Sequence, residues 1–207
     1  MTGLVIVDLQ SDFTELEAGS LAVPGTDQAY LDRVGRYLAR HQGKIPVFAS
    51  QDWHPVDHVS FASNNPGARV MEVREGQVMW PDHCVQGSPG ARLLIPTQGV
   101  KVVRKGMDRR FDSYSAFKDD GGAETGLERM LRQAGVKRIM TFGLATDYCV
   151  RYTVLDALSL GFEVKVLIDL CRGVDPETTA QALAEMEEQG AEMGSSKIGR
   201  ASCRERV

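Results

Sequence analysis

The alternation of short apolar runs with amphipathic segments constrains the fold of this chain more than any other feature. Six apolar runs are typical of strands: Leu4–Val7, Ile45–Ala49, Val100–Val103, Val136–Gly143, Phe162–Ile168 and Ala191–Met193. Four segments between them carry apolar residues at helical spacing: Asp27–Arg40, Gly126–Gln133, Tyr148–Leu160 and Pro176–Gln189. Strands that alternate with helices usually form parallel sheets. The sequence therefore predicts a single doubly wound α/β domain, with a mostly parallel six-stranded sheet and helices on both faces.

Composition limits the classes of partner and compartment. The chain has 207 residues and a net charge of −4, which gives no basic surface for nucleic acid. No apolar run approaches the length of a membrane span, and the start does not resemble a signal peptide. The four cysteines form no Cys-x-x-Cys pair, so we expect a reducing, cytoplasmic location. Residues 1–196 are predicted to form the domain. We interpret residues 197–207, which lack apolar periodicity, as a non-native tail translated from a sequencing adapter.

Three reactive side chains follow predicted strands. Asp8 ends the first run, Lys105 follows the third and Cys149 follows the fourth. Ligands of parallel sheets bind beyond the carboxyl ends of the strands, so we expect these side chains at one rim. A thiol in the first turn of a helix is favoured as thiolate, a carboxylate can take its proton, and an ammonium stabilises both anions. Taken singly, each residue has another explanation: Asp8 as a turn or cap residue, Lys105 as part of a solvated turn and Cys149 as a small core residue. Their joint placement indicates acyl transfer.

A second set of side chains is typical of a metal site. Asp52 and His54 directly follow the second run and point to the same face of an extended chain. His58 and His83 lie in the irregular stretch from 54 to 98, which is too long for a simple connection. One carboxylate with two or three imidazoles suits zinc, iron or manganese. The alternative is that His54 caps a turn and that His83 is incidental.

Seven short motifs occur in one order along the chain. They are Ile6–Phe13, Gly19–Pro24, Gln51–Pro55, Trp80–Cys84, Lys105–Gly106, Asp112–Phe117 and Gly143–Cys149. Together they resemble the nicotinamidases, within the isochorismatase-like cysteine hydrolases. The resemblance covers the chain from about residue 4 to residue 196, and seven motifs in order make it highly specific.

The resemblance implies a role for each matching residue. The catalytic residues would be Asp8, Lys105 and Cys149, with the N–H of Ala145, after a cis peptide bond at Leu144–Ala145, as an oxyanion donor. The metal ligands would be Asp52, His54 and His83, and the substrate pocket would contain Phe13, Leu21, Trp80 and Tyr114. His58 and Ser60 remain open as further metal contacts, and Cys84 and Cys171 are expected to be structural. For the four pocket residues, ordinary core packing is the alternative.

The resemblance also implies an activity. A nicotinamidase hydrolyses nicotinamide to nicotinate and ammonia through a cysteine thioester, in the salvage of pyridine nucleotides, with a divalent metal anchoring the pyridine nitrogen. Hydrolysis of pyrazinamide is expected as well. Three alternatives remain: an isochorismatase, an N-carbamoyl amidase, and a non-catalytic metal- or ligand-binding relative. The sequence sets neither the metal nor the oligomeric state, and it leaves a homo-oligomer open.

Overall fold

The computed structural model describes residues 1–41 and 43–197. The strands of this part are β1 (Thr2–Val7), β2 (Val47–Asp52), β3 (Val73–Arg74), β4 (Gln77–Val78), β5 (Val100–Lys105), β6 (Arg138–Gly143), β7 (Glu163–Leu167) and β8 (Glu192–Gly194). Its α-helices are α1 (Gln28–His41), α2 (Leu127–Gln133), α3 (Arg151–Ser159) and α4 (Pro176–Glu188). None of the described helices is both long enough and apolar enough to cross a membrane.

Six of the strands form one parallel sheet in the order β5-β2-β1-β6-β7-β8. The chain leaves β1 toward β2 on one side and leaves β6 toward β7 on the other. Right-handed crossovers in opposite directions place helices on opposite faces of the sheet. The predicted doubly wound α/β fold is therefore confirmed. Strands β1 and β6 meet at the point where the strand order reverses, which is where ligands of such sheets bind.

The core follows from the apolar runs. Leu4 to Val7 of β1 are fully buried, as expected for a central strand covered on both faces. Tyr30 of α1 is buried, and its hydroxyl donates to the carbonyl of Leu170, 2.9 Å away. Helix α4 begins where the sequence predicts, because Asp175 caps the N–H groups of Glu177 and Thr178 and Pro176 occupies the first turn.

The structure differs from the predicted elements in three places. Strands β2 and β5 continue to Asp52 and Lys105, beyond the apolar runs, since their polar ends still pair in register. The irregular stretch from 54 to 98 contains the β3–β4 hairpin, which is too short to give a sequence pattern. The segment predicted as one helix over Tyr148–Leu160 begins with a π-helical turn, Thr146–Val150, followed by α3. Residues 198–207 of the predicted non-native tail lie outside the described residues.

Candidate active site

Four chain segments bring their polar residues to the carboxyl-terminal edge of the sheet. Asp8 directly follows β1, and the turn that contains Cys149 follows β6. Asp52 and Lys105 are the last residues of β2 and β5 and are direct partners in the parallel register. The rim predicted from the order of the strands is therefore present, at the point where the strand order reverses.

Lys105 is the centre of the cluster. Its side chain is fully buried, and its Nζ lies 2.6 Å from Asp52 Oδ1 and 3.0 Å from Asp8 Oδ2. The same Nζ donates to the carbonyl of Ser113 at 2.6 Å and lies 3.5 Å from Cys149 Sγ. Burial favours the neutral amine, but Asp52, Asp8 and Cys149 outweigh it and hold the pKa of Lys105 well above its usual value. The side chain is therefore a buried cation that compensates two carboxylates.

Asp8 is suited to accept a proton. Its Oδ1 accepts a hydrogen bond from the Ser50 hydroxyl at 2.7 Å. Its Oδ2 forms the ion pair with Lys105 but receives no well-directed hydrogen bond from the described residues, so a lone pair is available. Burial, opposed by Lys105 and assisted by Asp52, raises the pKa of Asp8 to about 6. This carboxylate is ionised at neutral pH, with a pKa close enough to neutrality for general base work.

Cys149 is buried in the π-helical turn, two residues before α3 begins. The peptide bond Leu144–Ala145, before this turn, is cis, as the resemblance implied. Burial, only partly opposed by Lys105 and reinforced by Asp8 and Asp52, raises the pKa of Cys149 well above its usual value. The position of Cys149 in the first turn therefore does not by itself make it a thiolate. The thiol needs a base, and one oxygen each of Asp8 and Asp52 lies within 4.8 Å of its Sγ.

Asp52, His54 and His83 form a second cluster beside Lys105. One ligand atom from each lies within 4.8 Å of the others, and all three residues are buried. His54 Nδ1 is 3.0 Å from the carbonyl of Gly106, and His83 Nδ1 is 2.8 Å from the carbonyl of Pro81. These carbonyls can only accept, so each Nδ1 carries the proton and each Nε2 keeps its lone pair. Burial, followed by His54, lowers the pKa of His83 to about 4, which keeps this ring neutral. The donors fit a divalent metal.

His58 lies beside this cluster, with its ring tilted against that of His54, but its ring nitrogens contact other residues. Its Nδ1 lies 2.8 Å from the hydroxyl of Ser60, and its Nε2 lies 3.0 Å from the carbonyl of Phe111. Both ring nitrogens are thus occupied, although the ring centroid is only 4.4 Å from that of His54. In the described part of the chain, neither His58 nor Ser60 joins the group of metal donors.

A cavity of about 240 Å³ opens onto Cys149, Asp52 and His83. Its wall includes all four residues predicted for the substrate pocket: Phe13, Leu21, Trp80 and Tyr114. Trp80 Nε1 donates to the hydroxyl of Tyr114 at 3.1 Å, which fixes the indole plane. The cavity can hold a small planar ring against aromatic walls, with the thiol on one side and the metal donors on the other.

The sequence missed three contributors to this site. Ser50, whose hydroxyl binds Asp8, lies two residues before Asp52 on the same face of β2, but the predicted strand ended at Ala49. The carbonyl of Ser113, which accepts from Lys105, has no sequence signal because every residue carries one. Val174 lines the cavity from a loop that no motif identified.

The fold and this site define the class of protein. Residues 2–198 match the model of the Isochorismatase domain family, so the chain belongs to this family.

The names of individual relatives specify particular activities within the family. A nicotinamidase of Escherichia coli strain K12 is 44% identical over 201 residues, which cover 91% of this chain and 92% of the relative. PnC1 from L. infantum, solved in complex with nicotinate, superposes with a TM-score of 0.82 at 38% identity, covering 95% of this chain and 93% of that one. The pyrazinamidase of Pyrococcus horikoshii, solved in complex with zinc, has a TM-score of 0.80 at 35% identity, with 94% and 98% covered.

Proposed function

We propose that this protein is a nicotinamidase, which hydrolyses the carboxamide of nicotinamide to nicotinate and ammonia. One observation carries the proposal: a buried thiol with its own base and a set of metal donors border the same aromatic cavity. A pyridine carboxamide has a ring for the aromatic walls, a ring nitrogen for a metal and an amide for the thiol. Relatives described as nicotinamidases, and a relative solved with nicotinate, support the choice of substrate.

The first half of the reaction forms a thioester. Asp8 takes the thiol proton of Cys149 as the sulfur attacks the amide carbon, because the raised pKa of the thiol leaves little thiolate beforehand. The S–C bond forms and the carbonyl π electrons move to oxygen, which the N–H groups of Ala145 and Cys149 stabilise. Lys105 keeps Asp8 oriented and balances the negative charge of the site. When the C–N bond breaks, Asp8 returns the proton to the leaving ammonia.

The second half uses the same groups. Asp8 takes a proton from water, and the water oxygen attacks the thioester carbon. The C–S bond then breaks, the sulfur regains its proton from Asp8, and the nicotinic acid loses the second water proton to solvent and leaves as nicotinate. Phe13, Leu21, Trp80 and Tyr114 hold the ring during both steps, so the reacting carbon stays near the sulfur.

Asp52, His54 and His83 would hold the divalent metal, which we propose to be zinc, iron or manganese. When bound, this metal supplies a Lewis acid for the ring nitrogen of the substrate. The chain itself contributes an imidazole nitrogen from each histidine and the ionised carboxylate of Asp52, whose pKa Lys105 lowers against the effect of burial. The relative solved with zinc supports the presence of a metal.

The same site suits pyrazinamide, which has the same carboxamide on a ring that also carries nitrogen. Isochorismatases and N-carbamoyl amidases share the fold but act on substrates without a pyridine nitrogen, so they would leave the metal donors without a role. A non-catalytic relative would not need a buried lysine that links two carboxylates to a thiol. We further propose a cytoplasmic location, which agrees with free thiols at the described cysteines.

Ammonia release tests the proposal directly. The zinc-loaded protein should release ammonia from nicotinamide and pyrazinamide, and should not cleave isochorismate or an N-carbamoyl amino acid. Cys149→Ala should abolish release while retaining the fold and the bound metal, because the thiol is not one of the proposed ligands Asp52, His54 and His83. The matched control is Cys171→Ala, which changes a buried thiol away from the cavity and should keep activity. Turnover by Cys149→Ala, or inactivity of the wild type on both amides, would refute the proposal.

A further inference from the structure

The turn from Ala145 to Cys149 must keep its two oxyanion donors in place, and it contains a buried carboxylate that the mechanism does not use. Asp147 lies midway between these residues and is buried in the described structure. Its side chain points away from Cys149 toward the segment before α4. A buried carboxylate needs partners, so its contacts indicate what it is for.

Three donors reach this carboxylate from the segment that leads into α4. The backbone N–H of Val174 donates to Oδ1 at 3.0 Å, and that of Asp175 donates to Oδ2 at 3.3 Å. The Thr178 hydroxyl donates to Oδ2 at 2.6 Å. The positive end of α4, a helix of 13 residues, lies on the same side and favours the negative charge.

The rest of the turn makes one hydrogen bond to that segment. Thr146 N–H donates to the carbonyl of Arg172 at 2.8 Å, and two N–H groups within the turn donate back to the carbonyl of Ala145. The carboxylate of Asp147 therefore supplies three of the four hydrogen bonds that join the turn to the segment before and at the start of α4. That segment also carries Val174, which lines the cavity.

We propose that Asp147 is a positioning residue that fixes the N–H groups of Ala145 and Cys149 where the oxyanion develops. The inference rests on the proposed function, since an oxyanion forms only if the protein cleaves an acyl substrate. The ring of the substrate is held by other elements, chiefly Phe13, Trp80 and the metal donors. Loss of Asp147 therefore lowers kcat and leaves KM nearly unchanged, because the ground state depends little on these N–H groups.

The experiment compares Asp147→Asn, Asp147→Ala and Thr178→Val with Asp175→Ala. Asp175→Ala is the matched control, because it removes the cap of α4, two hydrogen bonds at 2.8 and 3.1 Å, without removing the Asp147 carboxylate. We expect kcat for nicotinamide to fall about tenfold for Asp147→Asn and about a hundredfold for Asp147→Ala, with KM within about threefold. Asp175→Ala should lower Tm and keep kcat within about threefold. Thr178→Val, which removes one donor of three, should reduce kcat about threefold.

Two inhibitors separate the oxyanion donors from the ring pocket. Cys149 can add to nicotinaldehyde, forming an S–C bond while the carbonyl electrons move to oxygen and the thiol proton passes to Asp8. 3-Methylpyridine keeps the ring and has no carbonyl. In the Asp147 variants the affinity for nicotinaldehyde should fall by the same factor as kcat. The affinity for 3-methylpyridine should stay within about threefold of the wild-type value. The inference would be overturned if the affinities for both inhibitors fell equally, or if kcat stayed within threefold in both Asp147 variants. It would also be overturned if Asp175→Ala lowered kcat as much as the Asp147 variants do.

Amide hydrogen exchange gives a readout without substrate. Exchange in the peptide from 144 to 150 should be faster in Asp147→Asn than in the wild type or Asp175→Ala. Unchanged exchange would refute the positioning role even if the wild type proved inactive on nicotinamide. That inactivity would by itself refute only the proposed function. Should Asp147→Ala fail to fold, the near-isosteric Asp147→Asn decides the question.

Discussion

Replacing Lys105 by methionine tests the central electrostatic argument. The methionine fills a similar volume and removes the charge that two buried carboxylates share. At 2.6 and 3.0 Å, with an effective dielectric constant of about 20, each ion pair has a coulombic energy of about 6 kcal/mol. The variant also avoids burying an ammonium, so the net cost is smaller. Breaking a buried ion pair by removing one partner typically costs about 3–5 kcal/mol, which we expect for the free energy of unfolding.

This destabilisation should depend on pH in a defined direction. Without the ammonium, burial raises the pKa of Asp8 further above the value of about 6 that it has in the wild type. The folded variant then binds more protons than its unfolded chain as the pH falls from 8 to 6. Its stability therefore increases over this range, and the deficit relative to the wild type narrows. At pH 8 its kcat should be lower by about a hundredfold or more, because Lys105 no longer orients Asp8 and the further raised pKa of Asp8 favours its protonated form, which is not a base.

Urea unfolding of metal-free protein at pH 8 and pH 6, together with ammonia release, measures both effects. Lys101→Met is the control, since Lys101 lies on the same strand with its side chain exposed, and it should change stability by less than about 0.5 kcal/mol. Zinc affinity of Lys105→Met should stay equal or increase, because the removed ammonium repels a dication next to Asp52. The reasoning would be contradicted if Lys105→Met lowered the free energy of unfolding by less than about 1 kcal/mol at pH 8, or if its difference from the wild type became larger toward pH 6.

Three further predictions concern the same site. Gly106→Ala should weaken zinc binding about tenfold in a chelator competition, because φ is +65° and a Cβ there would overlap the His54 ring; unchanged affinity would contradict this. The value of kcat/KM should fall below about pH 6, since protonated Asp8 accepts no proton. Ser50→Ala should shift this acidic limb to higher pH, because it removes a donor that lowers the pKa of Asp8. A limb unaffected by Ser50→Ala would argue against Asp8 as the base. Removing the metal with dipicolinate should abolish most nicotinamide hydrolysis, zinc should restore it, and an indifferent enzyme would exclude the metal role.

The sequence predicts the parts of the site that depend on topology. Asp8, Asp52 and Lys105 end strands of a parallel sheet, and a parallel sheet brings such ends to one edge. His83 could be predicted only from its residue type and motif, because it lies in an irregular stretch whose path no periodicity describes. The burial that raises the pKa of Cys149 could not be predicted from the sequence, since the position of this residue in a turn is local information whereas its burial comes from the whole fold.

The central position of β1 also affects how the protein folds. Its neighbours are β2, which follows after one helix, and β6, which begins only at residue 138. Until the second neighbour is made, the fully apolar run from Leu4 to Val7 has one unpaired edge. The contact between β1 and β6 is distant in sequence, and such pairings form slowly. The active site is therefore complete only when β6 docks and brings the thiol to its base. Before that step the nascent amino-terminal half is both inactive and prone to pair with other chains.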